Sequence, residues 1–87
     1  MSEVFAVMYG CVDLDEEIVH QLYATKELGI SHARRAARDV LTDNPEDYAD
    51  VILTDTIDDN GNNVIIIATQ TTECEWWRVV PMKVWNK

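Results

Sequence analysis

An 87-residue chain with 47% hydrophobic residues, three Trp, two Pro and three Gly reads as one small folded domain with a single core, since a disordered acidic tail lacks that apolar content. Seven Lys and Arg stand against sixteen Asp and Glu, for a formal net charge of -9. That balance disfavours direct binding to nucleic acid or to an anionic membrane, both of which need cations to neutralise phosphate. Two cysteines, Cys11 and Cys74, cannot build a disulfide framework and offer no Cys-x-x-Cys spacing for zinc, so no metal or other cofactor is implied. Met1-Ser2-Glu3 lacks the basic and apolar regions of a signal peptide, and an intracellular, cytoplasmic protein with reduced thiols is expected.

The first element is Val4 to Val12, β-branched and aromatic and of strand length. Two readings then compete. Asp13 with Glu16 resembles a capping box, and Leu14, Ile18 and Leu22, with Val19 and Tyr23, trace a stripe that a helix over 14–28 ending at Gly29 would use. In the other reading, which we favour, Asp13 to Glu16 is a hairpin turn and Ile18 to Tyr23 a second strand. Thr25 then caps a helix from Lys26 to Leu41. Gly29, Ala33, Ala36, Ala37 and Val40 fall on one face of that helix, a small-residue stripe suited to close packing on a sheet, while Arg34, Arg35 and Arg38 fall on the polar side.

Pro45 stops the helix. Val51 to Ile57 and Val64 to Thr71 form a hairpin around Asp59-Asn60-Gly61-Asn62, which has the residues that tolerate a left-handed backbone. A last strand runs from about Trp76 to Trp85 and contains Pro81, which lacks a ladder donor and points to an edge strand or a bulge. The expected fold is an α+β domain over residues 1–87. One helix packs on a twisted antiparallel sheet of four or five strands in the order β-β-α-β-β-β, with β-α-α-β-β-β as the alternative.

Charge is segregated along this frame. Between Asp39 and Glu75 the chain carries Asp39, Asp43, Glu46, Asp47, Asp50, Asp55, Asp58, Asp59, Glu73 and Glu75 and no Lys or Arg. Like charges repel and strengthen no fold, so such a run serves solubility or a positively charged protein partner. Excepting Asp39, these carboxylates are the candidate acidic contacts, concentrated at the helix exit, the Asp58-Asp59 turn and the start of the last strand.

Apolar contacts are expected as well. Val64-Ile65-Ile66-Ile67-Ala68 and the segment from Trp76 to Trp85 carry large apolar groups on both faces, and one helix covers only one face of a sheet. A protein partner or a homodimer would cover the other, with Trp77 and Trp85 as the exposed anchors.

Other motifs fail on spacing. Leu28-Gly29-Ile30-Ser31 before Arg34-Arg35-Ala36 is out of register for a DNA-reading helix-turn-helix, which would place Arg35 at an apolar position. Asp55, Asp58 and Asn60 before Gly61 do not make a calcium loop, since Thr56 and Ile67 would take ligand positions. His20, His32, Cys11, Cys74, Ser2 and Ser31 form no recognised catalytic arrangement, although Cys11 and His20 could meet across adjacent strands, and no enzyme activity is expected.

Tyr23-Ala24-Thr25-Lys26-Glu27 leading into Ala33-Arg34-Arg35-Ala36-Ala37-Arg38, then Asp47-Tyr48-Ala49-Asp50-Val51 and Asp58-Asp59-Asn60-Gly61-Asn62, resembles small proteins of phages and plasmids. In pattern the layout is similar to that of some small anti-CRISPR proteins. The resemblance implies a mobile-element protein that inhibits a host nucleic-acid-handling complex, and it carries no particular functional residue onto this chain.

Overall fold

The computed structural model describes residues 2–43, 51–68 and 73–84. Its elements run β1 (Ser2–Cys11), β2 (Ile18–Tyr23), α1 (Lys26–Asp43), β3 (Ile52–Ile57), β4 (Asn63–Ala68) and β5 (Glu73–Val84). The strands form one antiparallel sheet in the order β2-β1-β5-β4-β3, with α1 on one face. This is the β-β-α-β-β-β order of an α+β fold.

The segment that could have been a helix is β2, laddered to β1 from Tyr9↔Ile18 to Phe5↔Tyr23 with a shift between Val7 and Met8. The stripe of Leu14, Ile18 and Leu22 would have needed burial to hold a helix, and all three stay exposed. Backbone pairing with β1 fixes this segment instead. The turn before it closes through the Leu14 N–H, which donates to the Cys11 carbonyl at 3.1 Å. Thr25 caps α1 as expected, its Oγ1 accepting from the Leu28 N–H at 3.2 Å.

The core forms where the small residues of α1 meet the sheet. Ala33 and Ala37 pack with Val7, Ile65, Ile67, Trp77 and Val79, and Phe5, Tyr9, Ile30, Ala36 and Val40 close the rim. Gly29 permits the closest approach, because a Cβ there would stand 2.9 Å from Val79 Cγ1.

Two expectations for the last strand are corrected. β5 lies at the centre of the sheet, between β1 and β4. Pro81 is compatible with that place because β4 pairs with β5 no further than Val79, so beyond it one flank of β5 has no neighbouring strand among the described residues. Trp77, expected as an exposed anchor, is 2% exposed and ranks first in volume among the fully buried side chains. Its position opposite Tyr9 and Ile65 turns it to the helix side. Trp85 lies outside the described residues.

The β3–β4 turn runs from Asp58 to Asn62, one residue earlier than expected. Gly61 N–H donates to the Asp58 carbonyl at 3.0 Å, Asp58 N–H donates to the Asn62 carbonyl at 2.9 Å, and Gly61 takes the left-handed conformation with φ 82°. Three central residues with the last in that conformation make a tight turn that suits the sheet's twist.

Candidate functional site

The face of the sheet opposite α1 carries no covering element among the described residues, and a line of polar side chains crosses it. Arg78 of β5 stands in the middle. Its Nε donates to Glu17 Oε2 at 3.0 Å from the end of the β1–β2 turn, and its Nη1 pairs with Asp58 Oδ2 from the β3–β4 turn. Trp76 Nε1–H donates to the same Glu17 carboxylate at 2.6 Å. The Trp76 indole covers Gly10, where any Cβ would run into the ring.

Asp58 also organises its own turn, since its Oδ1 accepts the N–H groups of Asn60 and Asn62, each at 2.9 Å. The Asn62 N–H foremost, with Arg78 and the Asn60 N–H, holds the Asp58 carboxyl below the usual carboxylate range.

Beyond this polar line the same face is apolar. Alternation along the paired strands puts Val4, Ala6 and Met8 of β1, Val19 and Leu22 of β2, and Val80 and Met82 of β5 together. Val19, Leu22 and Met82 are 51%, 50% and 43% exposed.

On the helix side a cleft of about 390 Å³ opens between the turn-proximal ends of β1 and β2 and the C-terminal half of α1, lined by Tyr9, Ile18, His20, Ala36, Val40, Glu75 and Trp77. Tyr9 OH donates to Glu75 Oε1 at 2.5 Å. Burial, then this bond to the carboxylate, pushes the Tyr9 phenol well above its ordinary range, so Tyr9 remains a donor that orients Glu75. The Tyr9 and Trp77 rings lie 5.4 Å apart at 52°.

A hydrogen-bonded chain adjoins the cleft. Tyr23 OH and His32 Nδ1 are 2.6 Å apart, and His32 Nε2 and His20 Nδ1 are 3.2 Å apart, joining β2 to α1. Burial first, then His20 and Arg35, lowers the pKa of His32. Lowered below its ordinary value of 6.5, His32 is neutral at neutral pH.

The expected acidic contacts do not act as one field. Asp55 is paired with Arg34 of α1 at 2.6 Å, Asp58 is held by Arg78 and the turn, and Glu75 accepts from Tyr9 on the helix side. Asp43 and Asp59 are exposed and take part in none of the ion pairs among the described residues. Glu46, Asp47 and Asp50, together with the side chain of Glu73, lie outside the described residues.

Sequence reasoning missed Glu17, Arg78, Tyr9 and the exposed group Asp13, Asp15 and Glu16 on the β1–β2 turn. The signal for that group was present in the acidic run at 13–17, which read only as a turn. Among the described residues no three His, Cys, Asp or Glu side chains converge on a metal position, and no helix is long and apolar enough to cross a membrane. Comparison with protein-family models, with curated proteins and with solved structures finds no match to this chain.

Proposed function

We propose that this chain is a non-enzymatic acidic binding protein, of the kind phages and mobile elements carry, that docks on the basic nucleic-acid-binding surface of a host defence complex and blocks it. One observation supports the reading above others: exposed carboxylates gather at one end of the molecule and take part in none of the ion pairs among the described residues. Asp13, Asp15 and Glu16 lie on the β1–β2 turn, and Asp39 and Asp43 lie near the end of α1, whose last turn holds no basic residue. Ile18 and Val40 line one cleft, which brings that turn and the C-terminal half of the helix to the same end. Carboxylates fixed on a rigid frame present negative charge at set spacings, as a phosphate backbone does, and draw in a basic surface electrostatically.

The test is capture of a basic, nucleic-acid-binding protein from bacterial lysate on the immobilised chain. Capture is expected at low salt, with release by high salt and by added DNA or RNA, and loss in the D13N/D15N/E16Q variant. Capture that ignores salt, nucleic acid and the triple substitution would sink the charge-mimicry reading.

The apolar part of the open sheet face favours a second reading, a homodimer joined through Val19, Leu22 and Met82. Sedimentation of the wild type and Leu22→Asp separates the two. A wild type that sediments as a monomer over the full concentration range removes the dimer.

A further inference from the structure

We infer that the cleft between β1, β2, β5 and α1 receives a cationic side chain, Lys or Arg, from the basic partner, so that the contact has a specific socket in addition to diffuse charge. This inference rests on the reading just given. The walls of the cleft are of three kinds. Tyr9 and Trp77 supply aromatic surface, Ile18, Ala36 and Val40 supply aliphatic surface, and Glu75 supplies a partly buried carboxylate at the same wall. A largely apolar lining that holds one carboxylate beside aromatic rings matches a cation on an aliphatic stem: the stem replaces water along the walls, and the charge meets both the carboxylate and the rings. A volume of about 390 Å³ lies at the small end of ligand pockets, which suits one side chain better than a large organic ligand.

Preorganisation strengthens the match. Glu75 is oriented by the Tyr9 hydroxyl, so it need not be ordered when the cation arrives. The field at the cleft has the right sign from two further sources. The C-terminal half of α1 brings Ala36 and Val40 to the cleft, so the negative end of the helix dipole lies on that side, with no basic residue in the last described turn. The turn carrying Asp13, Asp15 and Glu16 lies just before Ile18 on the other side. Low-dielectric walls between two acidic rims focus such a field into the cleft. The opposing charges on that half of the helix are Arg35, which acts on His32, and Arg38, both exposed to solvent. His20 lines the cleft and is tied to His32 at 3.2 Å.

The experiment is an NMR titration of the isotope-labelled chain with n-butylguanidinium and with its neutral isostere n-butylurea. The guanidinium is expected to shift the amides of Tyr9, Ile18, Val40 and Glu75 along a saturating curve and to bind at least about tenfold more tightly than the urea. Glu75→Gln should lose about that same factor. Asp59→Asn, remote from the cleft, should lose none. An acetyl-Ala-Arg-Ala-amide peptide should shift the same amides, and its citrulline counterpart should not.

Equal binding of the urea, an unchanged affinity in Glu75→Gln, or shifts spread without saturation over Asp13, Glu16 and Asp59 would each overturn the socket. Should Glu75→Gln perturb the fold, seen as changed amide positions in β3 and β4, Tyr9→Phe replaces it, and unchanged affinity there overturns the oriented carboxylate. Binding of the small guanidinium with rejection of the Arg peptide would overturn a protein side chain as the source. None of these results depends on lysate capture, so loss of the partner reading and loss of the socket are told apart.

Discussion

The two faces of the sheet come from the same strands and are finished in opposite ways. On the helix side, Gly29, Ala33 and Ala37 let α1 settle onto Val7, Ile65, Trp77 and Val79, and the result is a closed apolar core. On the other side Glu17, Arg78 and Asp58 tie the two hairpin turns across β5, and Val19, Leu22 and Met82 stay in contact with water. One face is held by packing, which is dense and insensitive to salt. The other is held by charge, which leaves surface open to a partner. Stability should therefore depend mainly on the first face and tune weakly with the second.

The largest expected effect follows from Trp77. Trp77→Ala empties the centre of the core and should cost about 3–5 kcal/mol, a large share of the roughly 5–15 kcal/mol typical of a small domain, read as a drop in the urea midpoint. Trp76→Phe on the open face keeps most of the ring and removes the donor to Glu17, for a loss of about 1 kcal/mol. Comparable losses in the two variants would break the contrast between the faces.

Arg78 comes next. Arg78→Met retains the stem but leaves Glu17 and Asp58 without their shared cation, at a cost of about 1–3 kcal/mol. The side chains involved are 28%, 25% and 15% exposed, so solvent screening keeps the cost near the lower end. A thermodynamic cycle with Glu17→Gln should show non-additivity, because the two residues share one interaction. Additive losses would mean that the two turns are fixed independently of each other.

Much of this frame was legible in the sequence. Thr25 as a cap, the small-residue stripe of α1 and the Gly61 turn are local signals, each written within a few residues, and each places its element. The central position of β5 was not legible, since Pro81 argues for an edge. What admits the proline is the point at which β4 stops pairing, a fact about a separate strand. The fate of Trp77 was hidden for a related reason: in Trp76-Trp77 one ring faces each side, and only the register with Tyr9 and Ile65 decides which is buried.

The same limit applies to the candidate site. The acids at 39–75 were visible as a run, but the pairings of Asp55 with Arg34 and Asp58 with Arg78 span 21 and 20 residues, and the bond from Tyr9 to Glu75 spans 66. Composition counts charges without showing which are already satisfied. Exposed acids that take part in none of the ion pairs among the described residues include Asp13, Asp15 and Glu16, which precede the base-free run at 39–75.

A pH titration sharpens the helix side further. Burial lowers the pKa of His32 below the ordinary value of 6.5. Between that lowered value and 6.5 the unfolded chain binds more protons than the folded one, so stability rises with pH across this window. The contribution is fully present above 6.5 and is lost as pH falls toward the folded pKa of His32. His20→Ala removes one of the causes of the depression, so the His32 ring protons should titrate at higher pH than in the wild type, although burial still holds them low. A His32 midpoint at or above 6.5 in the wild type would contradict the neutral ring bridging β2 and α1.

The smallest effect is expected where charge is paired in the open on the helix side. Arg34 and Asp55 join α1 to the edge strand β3 at 2.6 Å, with their side chains 47% and 37% exposed. At that exposure the attraction is screened and two mobile side chains must be held in one geometry, so Arg34→Ala should cost only about 0.2–1 kcal/mol. Most of that small loss should vanish in high salt, because screening weakens the pair in the wild type as well. The loss from Trp77→Ala should persist at every ionic strength. A salt-independent loss of several kcal/mol in Arg34→Ala would mean that α1 is held to the sheet by its charged flank as much as by Gly29, Ala33 and Ala37. The division into a packed face and a charged face would then have to be redrawn through the helix itself.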